Sequence, residues 1–102
     1  MKSVRTAQYR KLLEALPNHI RELADDAFKR FEKDPFHPSL ENEDLYDSKK
    51  GRHRKGSRSV AISRRYRAIY VVDNGPDGAD PTQVCWYWCG SHESYNIFTG
   101  RK

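Results

Sequence analysis

The stretch VCWYWCGSHESY, from Val84 to Tyr95, decides the fold because it is the most apolar run of an otherwise polar chain. Its aromatic residues predict a strand from Thr82 to Cys89. Side chains alternate between the two faces of a regular strand, so Trp86 and Trp88 are expected to share one face of the sheet. The small Gly-Ser step that follows would present His92 clear of these two rings.

Two further strands precede this stretch. The segment from Ser59 to Ser63 alternates apolar and polar residues. The segment from Tyr66 to Asp73 is apolar on both faces after Arg67, which predicts a central strand. The breaker-rich segment NGPDGADP, residues 74–81, predicts a long turn. Short links between consecutive strands favour an antiparallel meander.

Two helices are predicted near the N-terminus. Apolar residues at positions 9, 12, 13 and 16 form a helical stripe between Thr6 and Leu16, which Pro17 ends. A second stripe with i, i+3 and i+4 spacing runs from Ile20 to Phe31 and ends before Pro35. We therefore predict an α+β fold with a single domain, residues 1–102. Its N-terminal helical hairpin would pack on one face of a small twisted antiparallel sheet.

The charge of the chain is concentrated in its second half. The 102 residues carry a net charge of +5, with 32% charged and 36% hydrophobic residues. Residues 1–48 hold 8 basic and 10 acidic residues, whereas residues 49–102 hold 11 and 4. A polyanion partner, with nucleic acid first, explains this asymmetry, and a solvated basic loop is the alternative. We expect residues 49–58, KKGRHRKGSR, to be mobile in the unbound protein.

Several classes of protein are disfavoured by the composition. No run approaches the roughly 18 apolar residues of a membrane span, and the N-terminus lacks the apolar block of a signal peptide. We expect a cytoplasmic protein that does not contact a membrane. On one extended strand, Cys85 and Cys89 would lie about 13 Å apart, which is too far for a disulfide, so both are expected as free thiols.

Three motifs in this order resemble the RelE/ParE superfamily of bacterial toxins. They are the helical pattern that ends in DPFHPSL, the pattern S-x-x-I-x-x-x-YRAIY from Ser59 to Tyr70, and WYWCGSHESY from Trp86 to Tyr95. The resemblance covers residues 6 to 95. It implies a helical hairpin on a twisted antiparallel sheet and a cognate antitoxin that masks a concave basic face. Compared with the superfamily, we expect an N-terminal strand of only Lys2 to Val4 and no final helix in NIFTGRK.

The resemblance leaves the activity open between branches of the superfamily. RelE- and HigB-like members are ribonucleases that cut mRNA on the ribosome, and ParE-like members inhibit DNA gyrase. The ribonuclease is our main hypothesis for this chain, with gyrase inhibition and a non-enzymatic basic RNA-binding module as alternatives. In RNA cleavage the 2′-hydroxyl of the substrate is the nucleophile, so the reaction needs a base, an acid and cations, and we expect no metal and no cofactor.

The chain has suitable groups for this chemistry. His92 could act as acid or base near neutral pH, with His53 as the second proton-transfer group. Arg67 resembles the phosphate-clamping arginine of the superfamily, and the alternative is a structural ion pair. Tyr95 could stack on an unpaired base. The basic residues expected to hold RNA or ribosomal phosphates are Lys49, Lys50, Arg52, Arg54, Lys55, Arg58, Arg64 and Arg65.

Overall fold

The computed structural model describes residues 2–46, 49–73 and 83–101, and the turn predicted at 74–81 lies outside them. The helices of this part are α1 (Ala7–Glu14), α2 (Asn18–Lys33) and α3 (His92–Phe98), and a single 3₁₀ turn spans Pro38–Leu40. The strands are β1 (Lys2–Arg5), β2 (Glu43–Asp44), β3 (Arg58–Ser63), β4 (Tyr66–Asp73) and β5 (Gln83–Ser91). None of the helices in the described ranges is long and apolar enough to cross a membrane.

The five strands form one sheet in the order β1-β5-β4-β3-β2. The predicted meander of β3, β4 and β5 is confirmed as antiparallel. The short strand β2 pairs with β3 at the edge of this meander, and this pair is also antiparallel. The edge strand β1 instead runs parallel to β5, so the sheet is mixed. A parallel pair needs a long crossover connection, and here the helices and the meander both lie between the two strands. The predicted α+β fold is therefore confirmed, with one parallel edge.

The helical hairpin covers one face of the sheet, as predicted. Thr6 caps α1 by accepting a hydrogen bond from the backbone N–H of Tyr9 at 3.0 Å. Pro17 precedes the first residue of α2, where its fixed φ suits the start of a helix. Four residues of the α2 stripe are buried, Ile20, Ala24, Ala27 and Phe31, and the ring of Phe31 packs edge-on against Trp86 with 4.9 Å between centroids. Aromatic rings meet at the centre of the core on this side, where Phe31, Tyr70 and Trp86 contact one another.

A β-bulge in β5 changes the predicted distribution of its rings. Ile69 of β4 pairs with Trp88, and the next residue, Tyr70, pairs with Trp86, so Tyr87 has no partner in the ladder. The extra residue shifts the alternation of side chains by one. Trp86 consequently packs under the helices, whereas Tyr87 and Trp88 both belong to the core on the opposite face. The expectation that Trp86 and Trp88 share a face was wrong for this reason.

The second face of the sheet is covered by α3, where no helix was predicted. Ser91 caps this helix by accepting a hydrogen bond from the backbone N–H of Ser94 at 3.1 Å. Trp88 stacks on Phe98 of α3 with centroids 4.9 Å apart. A Cβ at Gly90 would lie 2.8 Å from the Trp88 ring, so the glycine leaves space for the indole. Apart from its role in presenting His92, the Gly-Ser step therefore accommodates a tryptophan and begins a helix.

The basic segment expected to be mobile is attached to this second layer. The backbone N–H of Arg52 donates to the carbonyl of Phe98 at 2.7 Å. The hydroxyl of Tyr87 accepts from the backbone N–H of Arg54 at 2.8 Å and hydrogen-bonds Ser57 Oγ at 2.6 Å. The buried bulge residue thus anchors the basic loop at Arg54 and Ser57.

Candidate functional site

His92 is the first residue of α3 and is exposed, as its sequence position suggested. Its backbone N–H donates to the carbonyl of Arg65 at 2.6 Å, which attaches the start of the helix to the β3–β4 turn. Its ring stacks on Tyr95, one turn later, with centroids 5.7 Å apart and an angle of 27° between the planes. The imidazole is therefore positioned by packing and remains open to solvent.

Tyr95 lies at the centre of this cluster and has no exposed surface. Its hydroxyl donates to Glu43 Oε1 at 3.1 Å and hydrogen-bonds Ser59 Oγ at 2.9 Å. The guanidinium groups of Arg67 and Arg101 lie 5.5 Å and 5.4 Å from the centre of its ring. Burial raises the pKa of Tyr95, partly offset by the hydrogen bond from Ser59. An RNA base has no access to this ring, so the stacking role expected for Tyr95 does not fit the structure.

Arg67 is also buried, with only 7% of its surface exposed. Its Nη2 donates to the carbonyl of Glu41 at 2.8 Å and to Ser59 Oγ at 2.9 Å, and its Nε donates to the same Ser59 oxygen at 3.2 Å. The carboxylates of Glu41 and Glu43 lie 3.7 Å and 3.8 Å from the guanidinium. The expected direct phosphate clamp is therefore not accessible, and the alternative of a structural ion pair describes the contacts better.

Glu43 was missed by the sequence analysis. Its side chain is 43% exposed, and its Oε1 accepts from Tyr95 and lies 3.5 Å from Nη2 of Arg101. The sequence contained one signal, the acidic segment ENED four residues before the basic run, but only the pairing of Glu43 with Ser59 across β2 and β3 puts it on the face of Arg67. The cluster of His92, Tyr95, Arg67, Glu43 and Arg101 is hereafter called the α3 cluster.

His53 does not join this cluster. Its Nε2 lies 2.8 Å from the carbonyl oxygen of Tyr46, and its Nδ1 is buried without a hydrogen-bond partner among the described residues. The neighbouring Arg52 is bonded to Phe98, at the C-terminal end of α3, whereas His92 begins that helix. With a rise of about 1.5 Å per residue, the two ends of a seven-residue helix lie about 9 Å apart. The two histidines therefore do not form the expected acid–base pair in this structure.

The basic residues predicted to bind phosphates occupy three places. Arg64 and Arg65 are exposed in the turn between β3 and β4, and the backbone carbonyl of Arg65 accepts from the N–H of His92, so this turn lies beside the start of α3. Arg58 points to the helical face of the sheet, where it pairs with Asp44 and Asn42, and so it is separated from Arg67. The remaining basic residues of the prediction are exposed in the loop near the end of α3, and they are Lys49, Lys50, Arg52, Arg54 and Lys55.

Solved structures of toxins share this fold at low sequence identity. The YoeB/ParE toxin from Agrobacterium tumefaciens is 20% identical, with a TM-score of 0.64 over 90% of this chain and 99% of that one. YafQ from E. coli is 13% identical, with a TM-score of 0.60 over 92% and 96%. The toxin–antitoxin complex RelBE2 from Mycobacterium tuberculosis is 20% identical, with a TM-score of 0.58 over 89% and 96%.

No protein-family model and no curated protein sequence matches the chain. The structural matches nevertheless cover about nine tenths of this chain and nearly the whole length of the matched chains. The resemblance to the RelE/ParE superfamily that the three motifs indicated is confirmed at the level of the fold. The chain therefore has the fold of the RelE/ParE toxins.

Proposed function

We propose that this chain is the toxin of a toxin–antitoxin pair and that it cleaves mRNA on the ribosome without a metal ion. The observation that carries the proposal is the exposed imidazole of His92, which stacks on a buried tyrosine that also contacts Arg67 and Glu43. A solvent-accessible histidine held by such a network is suited to proton transfer at neutral pH. The shared fold with toxins supports the proposal from an independent direction.

Cleavage begins when a base removes the proton of the 2′-hydroxyl, which then attacks the adjacent phosphorus. An acid protonates the leaving 5′-oxygen, so the products are a cyclic phosphate and a free 5′-hydroxyl. His92 supplies one of these two proton transfers. Glu43 is the second candidate because its carboxylate is half-exposed and belongs to the same cluster. His53 is replaced in this role because it lies near the opposite end of α3.

Cations stabilise the negative charge that develops on the phosphate during the attack. Arg101 is the accessible guanidinium of the α3 cluster, with 45% of its side chain exposed. Arg64 and Arg65 are further candidates, because both are exposed in the turn whose backbone bonds the start of α3 at His92. Arg67 lies buried beneath this surface, where hydrogen bonds to Ser59 and to the Glu41 carbonyl hold its guanidinium in place. We assign it a positioning role, since it orients Tyr95 and Glu43.

The exposed basic loop gives affinity for RNA and the ribosome. The cations of Lys49, Lys50, Arg52, Arg54 and Lys55 follow one another without an intervening acidic residue. Such groups bind phosphates through counterion release, so binding weakens as salt rises. Activity on the ribosome would place the protein in the cytoplasm. By analogy with RelBE2, a structure of a toxin with its antitoxin, we propose an antitoxin as the protein partner of this chain.

The test is to induce the protein in cells and map new 5′ ends of mRNA. The wild-type chain should create new ends in translated messages, and His92→Gln should abolish them while leaving the fold intact. Loss of a proton-transfer group reduces the rate by about 10²- to 10⁴-fold. The matched control is His19→Gln, an exposed histidine on α2, which should cut like the wild type. Intact messages together with gyrase-trapped DNA breaks would refute the nuclease and favour the gyrase inhibitor.

A further inference from the structure

Ser59 of β3 is a buried serine whose hydroxyl joins two members of the α3 cluster. Its Oγ accepts from Nη2 of Arg67 at 2.9 Å and from Nε of the same guanidinium at 3.2 Å. The hydroxyl of Tyr95 lies 2.9 Å from the same oxygen. Among the described contacts, Arg67 itself meets Tyr95 over the ring face, 5.5 Å from its centre. Ser59 is therefore the hydrogen-bonded connection between the two side chains.

The donors and acceptors of these groups fix the direction of the hydrogen bonds. A serine hydroxyl has one proton and two lone pairs, and an arginine guanidinium can only donate. The two nitrogens of Arg67 occupy both lone pairs of Ser59, so the serine proton points to the oxygen of Tyr95. The proton of Tyr95 then points to Oε1 of Glu43, 3.1 Å away. The hydrogen bonds therefore run in one direction, from the buried guanidinium to the carboxylate of Glu43.

A second buried serine, two residues earlier, also bonds a tyrosine, but its hydrogen bonds end elsewhere. The Oγ of Ser57 lies 2.6 Å from the hydroxyl of Tyr87 and donates to the carbonyl of Arg54 at 2.7 Å. The Tyr87 hydroxyl accepts from the backbone N–H of the same Arg54. These bonds close on the backbone of one loop residue, so this serine stabilises the loop. The chain through Ser59 instead ends on a carboxylate that is 43% exposed.

We propose that Ser59 is a positioning residue, whose hydroxyl holds the O–H of Tyr95 toward Glu43 and so orients this carboxylate for proton transfer. Hydrogen bonds in a chain polarise one another, and a network with every member satisfied is rigid. The ring of Tyr95 also carries the imidazole of His92 on its face. Both candidate proton-transfer groups thus depend on one tyrosine that Ser59 fixes. The catalytic part of this proposal rests on the proposed function, whereas the direction of the hydrogen bonds does not.

The hydrogen-bond chain is tested without cleavage, by NMR of the full-length protein with isotope-labelled Cζ atoms in its tyrosines. The signal of Tyr95 is the one that Tyr95→Phe removes. Ser59→Ala should shift this signal, because the tyrosine oxygen loses the hydrogen bond from the serine. Ser57→Ala should shift the signal of Tyr87 instead and leave that of Tyr95 in place. A Tyr95 signal at the same position in Ser59→Ala and in the wild type would overturn the proposal.

The catalytic role is tested by cleavage of mRNA on programmed ribosomes at rising protein concentration. Ser59→Ala should lower the maximal rate about tenfold, the effect of losing one well-placed hydrogen bond, and leave the half-saturating concentration unchanged. Ser57→Ala is the matched variant, because it removes an equally buried hydroxyl. It loosens the basic loop, so it should raise the half-saturating concentration and keep the maximal rate. Equal losses of maximal rate in the two variants would mean that Ser59 acts only on stability, and would refute the proposal.

Tyr95→Phe interrupts the same chain but leaves Arg67 its acceptor, so it decides the question where Ser59→Ala does not fold. Its maximal rate should fall by a similar factor. The double variant Ser59→Ala/Tyr95→Phe should lose no more than either single variant, because both changes cut one chain. Losses that multiply, or full activity of Tyr95→Phe, would contradict the positioning role. A wild-type chain that cuts no mRNA would refute the nuclease instead, and the NMR comparison would still decide whether the hydrogen-bond chain exists.

Discussion

Replacement of Arg67 by lysine should destabilise the protein although the charge is retained. The guanidinium bonds Ser59 Oγ through two nitrogens and the Glu41 carbonyl through one of them. An ammonium group lacks the planar fork and can reach only one of these acceptors. Hydrogen bonds that involve a charged group contribute about 1.5–3 kcal/mol each, so the loss of one to two bonds should lower the free energy of unfolding by about 3 kcal/mol.

Urea unfolding at neutral pH measures this difference. Arg58→Lys is the matched control, because Arg58 also pairs with a carboxylate but its side chain is 26% exposed and that of its partner Asp44 is 63% exposed. Such pairs contribute about 0–1 kcal/mol. A free energy of unfolding for Arg67→Lys within 0.5 kcal/mol of the wild type would refute the argument. It would mean that the fork geometry around Ser59 has little effect on stability.

Three other predictions concern local structure and pH. Ser91→Ala removes the cap of α3, and the matched variant Thr6→Ala removes the cap of α1, so each should lower the free energy of unfolding by about 1 kcal/mol. Only Ser91→Ala should also reduce mRNA cleavage, because His92 follows this cap. Equal effects of the two on cleavage would contradict the positioning of His92 by α3. Gly90→Ala should lower the free energy of unfolding by about 1–3 kcal/mol, because the new methyl overlaps the Trp88 ring, and an unchanged near-UV dichroism spectrum would argue against this overlap. Burial raises the pKa of Cys89 from 9.0 to about 12, so its contribution to stability is complete below pH 9 and is lost as pH rises towards 12. Between pH 9 and 10, Cys89→Ala should therefore show a flatter decline of stability with pH than the wild type in urea titrations, and identical slopes would exclude this contribution.

The apolar periodicity of the longer helices and strands was sufficient to predict most of the fold. The stripe on α2 placed Ile20, Ala24, Ala27 and Phe31 together, and all four are buried. The short helix α3 could not be predicted in the same way. A seven-residue helix is unstable by itself, so it depends on tertiary contacts such as the burial of Tyr95, which the sequence does not show.

The candidate site was predicted only in part, for a similar reason. His92 was identified because its exposure follows from local sequence, and the structure places it at the surface. The burial of Arg67 and its contact with Ser59 depend on the register between β3 and β4, where Ser59 pairs with Ile69. The position of Glu43 depends on the strand β2, and a strand of two residues is too short to show a periodic pattern in the sequence. The site was therefore predicted only in part because contacts between strands cannot be read from the sequence. The basic character of its surroundings could be predicted, since it follows from the composition.

The unpaired residue Tyr87 has a consequence for how this protein can change in evolution. Because Tyr87 has no partner in the ladder, its deletion would restore regular pleating and leave Trp86 and Trp88 in their present layers. The deletion would also remove the hydroxyl that anchors Arg54 and Ser57 of the basic loop. In a deletion scan we therefore expect the loss of Tyr87 to keep the sheet and α3 but to release the basic loop. The bulge would then be an insertion that evolution can add or remove to attach this loop without rebuilding the sheet.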